Sequence, residues 1–445
     1  MTTKSQPSAT PRTAGWLASA ALRVDRHLRR FLVALMLLLA IGAGIGVERF
    51  VLESAPAGAQ RDEDLADLEE YTILEEAYDV IREEYVLSDE ITDQQLIYGA
   101  ATGMLDALGD DNHSVFLDPE RAARHVESLE GELVGIGVQV NTEVSPPTIV
   151  LPIQNSPAFE AGIFQGDAIL AVDGATIEVI DDPEALVDLI RGDEGTDVTL
   201  ELRHEGESES YTVTLTRTRI QVDPVSWAML PNDVLWVRLS DFSVGATEGL
   251  AEALVAGKEL GAQGVILDLR ANSGGFVYEA LGVSSHLQPD GSVMVQTEDS
   301  TGEITETATV GDNGEWQEGP LVVLIDENSV SAPEVVSAAI KANERAPLIG
   351  QTTFGTGTTI NGIELSDGSM VNIGVSLWRT PEGELLWHRG VDPDIEVENE
   401  PGVQTSLPYS YESNEVTDDQ FAALEDDQLL TAYEEVNEQI DSAAN

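Results

Sequence analysis

In a chain of 445 residues with no cysteine, nucleophilic chemistry falls to hydroxyls, amines and carboxylates. Thiolate nucleophiles, disulfides and cysteine-ligated zinc are excluded together. The run Asp326-Glu-Asn-Ser-Val-Ser-Ala-Pro-Glu334 follows a strand-like PLVVLID and precedes a helical pattern, with Pro333 suited to a first helical turn. Ser329 and Ser331 therefore stand where a strand exits and a helix begins. A serine there has two roles open to it: it caps the helix, or it exposes a nucleophilic hydroxyl beside the free backbone N–H of Ala332, an oxyanion donor. A serine hydroxyl attacks only when a neighbouring base takes its proton. Lysine is scarce, with Lys4, Lys258 and Lys341 the whole complement, so histidine is the first candidate base. His125 and His286 lie in helical patterns and His204 in a strand-rich module, where a surface or core role is expected. His113 sits in the loop Leu108-Gly-Asp-Asp-Asn-His-Ser114 and His388 in Leu386-Trp-His-Arg-Gly390. No His-x-x-x-His or H-E-x-x-H spacing occurs, so neither a metal site nor a cofactor is expected.

Several units must position these residues, since the length exceeds that of one domain. Residues 62–130 carry apolar positions at helical spacing, from Leu65 and Leu68 to Ile81 and Tyr85, and form a helical region. Within it, Gly109 to Asn112 reads as a turn between two helices, and Asp118-Pro119 opens the second. Residues 131–219 change to short β-rich runs with one helix near Pro183 to Arg191, a small mixed α+β module. Residues 222–400 alternate strands with helices, the pattern of an α/β layer around a largely parallel sheet. Residues 401–445 form an acidic tail with an amphipathic stretch across Asp418 to Ile440, to which no chemistry is assigned.

Lys plus Arg number 22 against 81 Asp plus Glu, a net charge of −59. Such a surface repels phosphate backbones, so nucleic acid is excluded as a partner. Phe31 to Val47 is uncharged and follows Arg23, Arg26, Arg29 and Arg30. That arrangement predicts a basic cytoplasmic tail at 1–30, a single-pass transmembrane anchor at 31–47 and an extracytoplasmic remainder in the cell (inner) membrane. A cleaved signal peptide ending near Ala57-Gly58-Ala59 is the rival reading.

Ser156-Pro-Ala-Phe-Glu-Ala-Gly through Ala171-Val-Asp-Gly174, preceded by Val134-Gly-Ile-Gly-Val138, resembles the core signature of PDZ domains. In such a domain a glycine-rich turn aims backbone N–H groups at a terminal carboxylate, and a strand edge pairs with the peptide. Val134, Gly135, Ile136, Gly137 and Val138 are the peptide-binding residues that the resemblance implies. Leu267-Asp-Leu-Arg-Ala-Asn-Ser-Gly-Gly275, Asp326 to Glu334, Thr353-Phe-Gly-Thr-Gly357 and the segment Trp378 to Val397 resemble, in that order, the carboxyl-terminal processing (tail-specific) serine proteases. The likeness spans about Glu69 to Val397. It implies a ClpP/crotonase-like layered catalytic domain with an inserted PDZ domain, and polypeptide substrates bound through free C-termini. It further implies Ser331 as nucleophile and an oxyanion hole from Ala332 with the loop of Gly274 and Gly275.

One departure stands out. Thr356 occupies the position of the family's catalytic lysine, and Ile360 that of its glutamine. Lys341 lies too far along the helix that follows Ser331 to substitute. The His113 segment resembles the one in which tricorn-type proteases carry their catalytic histidine. This implies a Ser331–His113 pair, with Asp110 or Asp111 as orienters, and leaves His388 as the second candidate. Two readings are carried: an active extracytoplasmic endopeptidase acting on envelope or misfolded proteins, and an inactive homologue that serves as a peptide-binding scaffold. Homo-oligomerisation through the helical region at 62–130 is a further expectation.

Overall fold

A computed structural model describes residue 65 and residues 68–443, apart from 111–112, 142–144, 154–155, 165, 178–182, 205, 312–313, 401–402, 404, 406 and 408–413. The expected anchor at 31–47 lies outside the described residues. Among those described, no helix is long and apolar enough to cross a membrane. The chain divides into two units, 1–92 and 93–445. In the first, the helix Tyr71–Glu84 buries no residue, and Arg82 donates to the carbonyls of Ser88 and Ile91 at 3.1 and 2.6 Å.

In the second unit, strands Val234–Leu239, Gly264–Asp268, Leu321–Ile325 and Leu348–Gly350 pair in parallel, with Val225–Leu230 antiparallel at one edge and Ile395–Glu396 at the other. Their apolar runs read as strands covered on both faces, and alternate side chains divide accordingly. Leu235, Val237, Val265, Leu267, Leu321 and Val323 pack into one cluster with the helices Ala246–Leu260, Val277–Leu287 and Ala332–Ala342. Val234, Trp236, Ile266, Val322 and Leu324 turn the other way, onto Leu407, Val416, Leu429, Ala432 and Val436.

That second cluster corrects the boundary expected at 400. The helix Asp427–Ala443 belongs to the catalytic core, because Leu429, Ala432 and Val436 make an apolar stripe at helical spacing that covers a sheet face. A second correction concerns residues 62–130. Val115–Leu117 is a strand, and it pairs antiparallel with Met370–Arg379 in a five-stranded sheet that also holds Val293–Asp299, Ile304–Ala308 and Thr358–Glu364. The following helix Pro119–Leu129 starts as expected, with the Asp118 side chain accepting from Arg121 N at 2.8 Å.

The 131–219 module has its own core, from Ile136, Ile149 and Ile169 to Leu186, Val198 and Leu200. Its sheet orders Val138–Asn141, Thr148–Pro152, Ala168–Val172, Asp197–Arg203 and Tyr211–Thr216. The chain enters along Glu132–Gly135 and leaves along Thr218–Gln221, which pair with each other as a two-stranded ribbon.

Candidate active site

The buried strand Leu321–Ile325 delivers Ser331 to the N-terminus of the helix Ala332–Ala342. Ser331 is half-buried, with φ 72° and ψ −111°, a conformation that costs a non-glycine residue about 1–3 kcal/mol and persists only where the surroundings enforce it. Glu334 enforces it. Its carboxylate is fully buried and accepts from Ser331 N at 2.8 Å, Gly355 N at 2.6 Å, Thr356 N at 3.0 Å and the Thr353 hydroxyl at 2.7 Å. One side chain thus clamps the serine turn to the loop 353–357, and its charge lies in the first turn of the helix, where the macrodipole favours it. In the sequence Glu334 was legible only as a letter of the motif.

Ser329, also fully buried, is a structural tie: its hydroxyl donates to Leu269 O at 2.9 Å and accepts from Asp326 N at 3.0 Å. Val330 N donates to Asn272 O at 2.9 Å, which seats the 271–275 loop against the serine turn. A Cβ on Gly274, whose φ is 97°, would stand 2.7 Å from Ser331 Cβ, so no side chain fits there. Gly274 N already donates to Asn272 Oδ1 at 2.9 Å. Of the three expected oxyanion donors, Gly274 is therefore committed. Among the described residues, the N–H groups of Ala332 and Gly275 have no protein acceptor.

The loop is anchored from behind by Arg270 and Asp268, both buried. Burial alone would raise the Asp268 carboxyl, but the Arg270 guanidinium beside it, bonded to both of its oxygens, holds it below the ordinary carboxylate value. Asp426 and Gln428, from the C-terminal segment, accept from the far side of Arg270 at 2.8 and 3.0 Å.

The strand Val115–Leu117 brings His113 to the same end of the molecule. The His113 ring lies 5.6 Å from that of Phe354 and 5.0 Å from that of Trp387, and Phe354 N donates to Ser329 O at 3.2 Å. His113 Nδ1 bonds the carbonyl of Asp110. A carbonyl only accepts, so Nδ1 carries a proton, and in the neutral ring the lone pair is on Nε2. Nε2 is buried and has no partner. This corrects the expected carboxylate orienter: Asp110 acts through its backbone, its side chain accepting from Ser114 N at 3.0 Å, and Asp111 lies outside the described residues. No hydrogen bond joins His113 to Ser331. His388 is exposed, its ring stacks edge-on against Trp387 at 4.3 Å, and its backbone N–H donates to Gly355 O at 2.9 Å. The other described histidines sit elsewhere: His204 pairs with Asp167 at 2.6 Å, His125 faces Asn372 at 3.2 Å, and His286 accepts from Glu315 N at 3.4 Å. Among the described residues no cluster of His, Asp and Glu could hold a metal.

In the 131–219 module, Val134 to Val138 line one side of a groove of about 90 Å³, and Val187, Ile190 and Arg191 line the other. Gly137, at φ 76°, is required for the turn, since a Cβ there would overlap Ser156 at 2.2 Å.

Family models match three stretches: peptidase family S41 at 233–397, a PDZ domain at 134–215, and the N-terminal domain of the activating protease CtpB at 45–121. The carboxy-terminal processing protease CtpA of Bacillus subtilis is 32% identical over 84% of this chain and 78% of its own length. The chain belongs to the carboxy-terminal processing protease family. A carboxyl-terminal-processing protease of Synechocystis is 33% identical over 72% of this chain and 75% of its own. Among solved structures, the photosystem II D1 C-terminal processing protease is similar over 78% of this chain and 96% of that one, at 28% identity and a TM-score of 0.46. By the matching family models and the two relatives, the protein is a serine-type C-terminal processing peptidase with a PDZ domain. In this member of the family, Thr356 is buried and its hydroxyl is unpartnered.

Proposed function

We propose that this peptidase cleaves near the free C-termini of extracytoplasmic polypeptides, with Ser331 as nucleophile and His113 as general base. The observation that carries the reading is the Asp110 carbonyl on His113 Nδ1, which leaves an uncommitted lone pair on a ring packed against Phe354, beside the serine turn. His113 takes the Ser331 proton as Oγ bonds the scissile carbonyl carbon, and the oxyanion is met by the N–H groups of Ala332 and Gly275. The imidazolium then returns the proton to the leaving amine. The same imidazole next activates a water molecule that hydrolyses the acyl-enzyme. The PDZ groove takes the substrate's terminal carboxylate on the backbone of the 134–138 turn. The uncharged segment Phe31 to Val47, behind four arginines, supports anchoring in the inner membrane with the catalytic unit outside. Exposed Ile73, Leu74 and Val80 on a helix with no buried residue support self-association through the N-terminal helices.

The test is turnover of an unfolded protein substrate by the wild type beside Ser331→Ala, His113→Ala and His388→Ala. We expect the first two to lose activity by orders of magnitude with peptide binding intact, and the third to keep it. Full turnover by His113→Ala would overturn the base, and equal inactivity of the wild type and Ser331→Ala would favour a peptide-binding scaffold.

A further inference from the structure

Two buried polar atoms without partners, one in the loop 353–357 and one on the histidine packed against it, have complementary hydrogen-bonding characters. One is the Thr356 hydroxyl, on a side chain 2% exposed; the other is His113 Nε2. Thr356 can donate its hydroxyl proton, whereas Nε2, with the ring proton fixed on Nδ1, can only accept. Leaving either unpaired in the interior is unfavourable, and the backbone N–H of Thr356 is already met by Glu334. The same Glu334 oxygen that accepts Thr356 N at 3.0 Å accepts Ser331 N at 2.8 Å, so Thr356 and Ser331 are held side by side on one atom. On the other flank, the neighbours of Thr356 reach the walls of the His113 site. Phe354 meets the imidazole directly, and Trp387, the second ring against it, has its backbone nitrogen 2.2 Å from where a Cβ on Gly357 would stand. Thr356 is thus tied to Ser331 through one Glu334 oxygen and stands two residues from Phe354, which packs on the His113 ring, while its hydroxyl and Nε2 each remain without a partner.

We propose that, once substrate fills the site, the Thr356 hydroxyl becomes the link between Ser331 and His113: it then accepts from Ser331 Oγ and donates to His113 Nε2. In the attack step, Ser331 passes its proton to Thr356 Oγ as Thr356 passes its own to Nε2. The products are a serine bonded to the carbonyl carbon, a neutral threonine and an imidazolium, and on collapse of the tetrahedral adduct the proton returns along the same route to the leaving amine. This rests on the reading of His113 as base. Of the two groups on the Thr356 Cβ, only the hydroxyl can carry a proton.

The experiment compares Thr356→Val, which keeps shape and loses the hydroxyl, with Thr356→Ser, which keeps it, in the full chain acting on a peptide with a free apolar C-terminus. His113→Ala and the double variant are assayed alongside. We expect Thr356→Val to lower kcat by about 30-fold or more with KM unchanged, within the range of general acid–base contributions. Thr356→Ser should stay within a few-fold of wild type, and the double variant should be no slower than His113→Ala alone. Near-wild-type kcat in Thr356→Val, beside a large loss in His113→Ala, would overturn the relay and leave the base standing. Unchanged turnover in His113→Ala would remove both. Equal loss in the valine and serine variants, each with wild-type melting temperature and peptide binding, would also overturn the relay, because the hydroxyl would then not be the operative group.

Discussion

Replacing Glu334 with glutamine removes a charge and one acceptor position while leaving the side chain's shape, and the structure says which contact is lost. If the new amide nitrogen turned toward Ser331 N and Thr356 N, two backbone donors would face a third. Turned the other way, it faces Gly355 N and the Thr353 hydroxyl. The Thr353 hydroxyl, which already accepts from Val391 N at 2.8 Å, can accept from it as well, so Gly355 N is the one backbone donor stranded. Glutamine takes the second orientation. One stranded buried N–H costs about 1–3 kcal/mol, and the two surviving bonds fall from charge-assisted to neutral strength, so about 3 kcal/mol in total is expected. At roughly 2–4 °C per kcal/mol for a domain of this size, the melting temperature should drop by about 6–12 °C. The effect on turnover should exceed what stability alone gives, because Glu334 holds Ser331 at its positive φ. Thermal unfolding and steady-state kinetics of Glu334→Gln, both at a temperature where the variant stays folded, provide the measurement. A variant that melts within about 1 °C of wild type and turns over within twofold would refute the clamp.

Other expectations follow from the same geometry. Asp426→Ala leaves the Arg270 guanidinium short of a buried partner, and should cost about 3 kcal/mol of unfolding free energy, read as a lower denaturant midpoint; an unchanged midpoint would mean that the C-terminal segment does not brace the loop. Because the Asp268 carboxyl is held below its ordinary 3.8 in the folded chain, it contributes stability that is present above that value and lost as pH falls through the folded one. Wild-type stability should thus decline steeply under acid conditions below about pH 4, and Asp268→Asn should show a shallower decline; parallel curves would refute the assignment. With a net charge of −59, self-repulsion should weaken the folded state at low ionic strength. The melting temperature should rise on addition of molar salt, and a fall or no change would count against repulsion as the dominant surface term.

The serine turn was legible because three local signals coincide there: an apolar strand, a proline at the helix start and a serine between them. The PDZ groove was legible for a similar reason, with Gly135 and Gly137 flanking a turn that only a residue without a side chain can make at Gly137. What local pattern could not give is the partnership of distant segments. His113 reaches the site through a three-residue strand that pairs with Met370–Arg379, too short for alternation to register and dependent on a contact across most of the chain. The four donors to Glu334 come from two loops, neither of which announces a need for a carboxylate. In the C-terminal segment the acidic residues dominate composition and conceal the stripe of Leu429, Ala432 and Val436, whose burial is evident only against the sheet. The carboxylate expected to orient His113 proved to be a backbone carbonyl, which any residue supplies and no motif records.

The ribbon that pairs Glu132 with Gln221 and Gly135 with Thr218 means that the chain leaves the catalytic unit and re-enters it at adjacent strands, under 5 Å apart. To the rest of the molecule the whole peptide-reading module is therefore equivalent to a hairpin turn. Shortening so long a connection to a few residues changes the closure entropy by only about 2–3 kcal/mol, and it does so in favour of the shorter loop. The junction behaves as a socket: a two-residue turn, or a recognition module of another specificity whose ends lie one strand apart, could be grafted there without disturbing the register of the sheets on which hydrolysis depends.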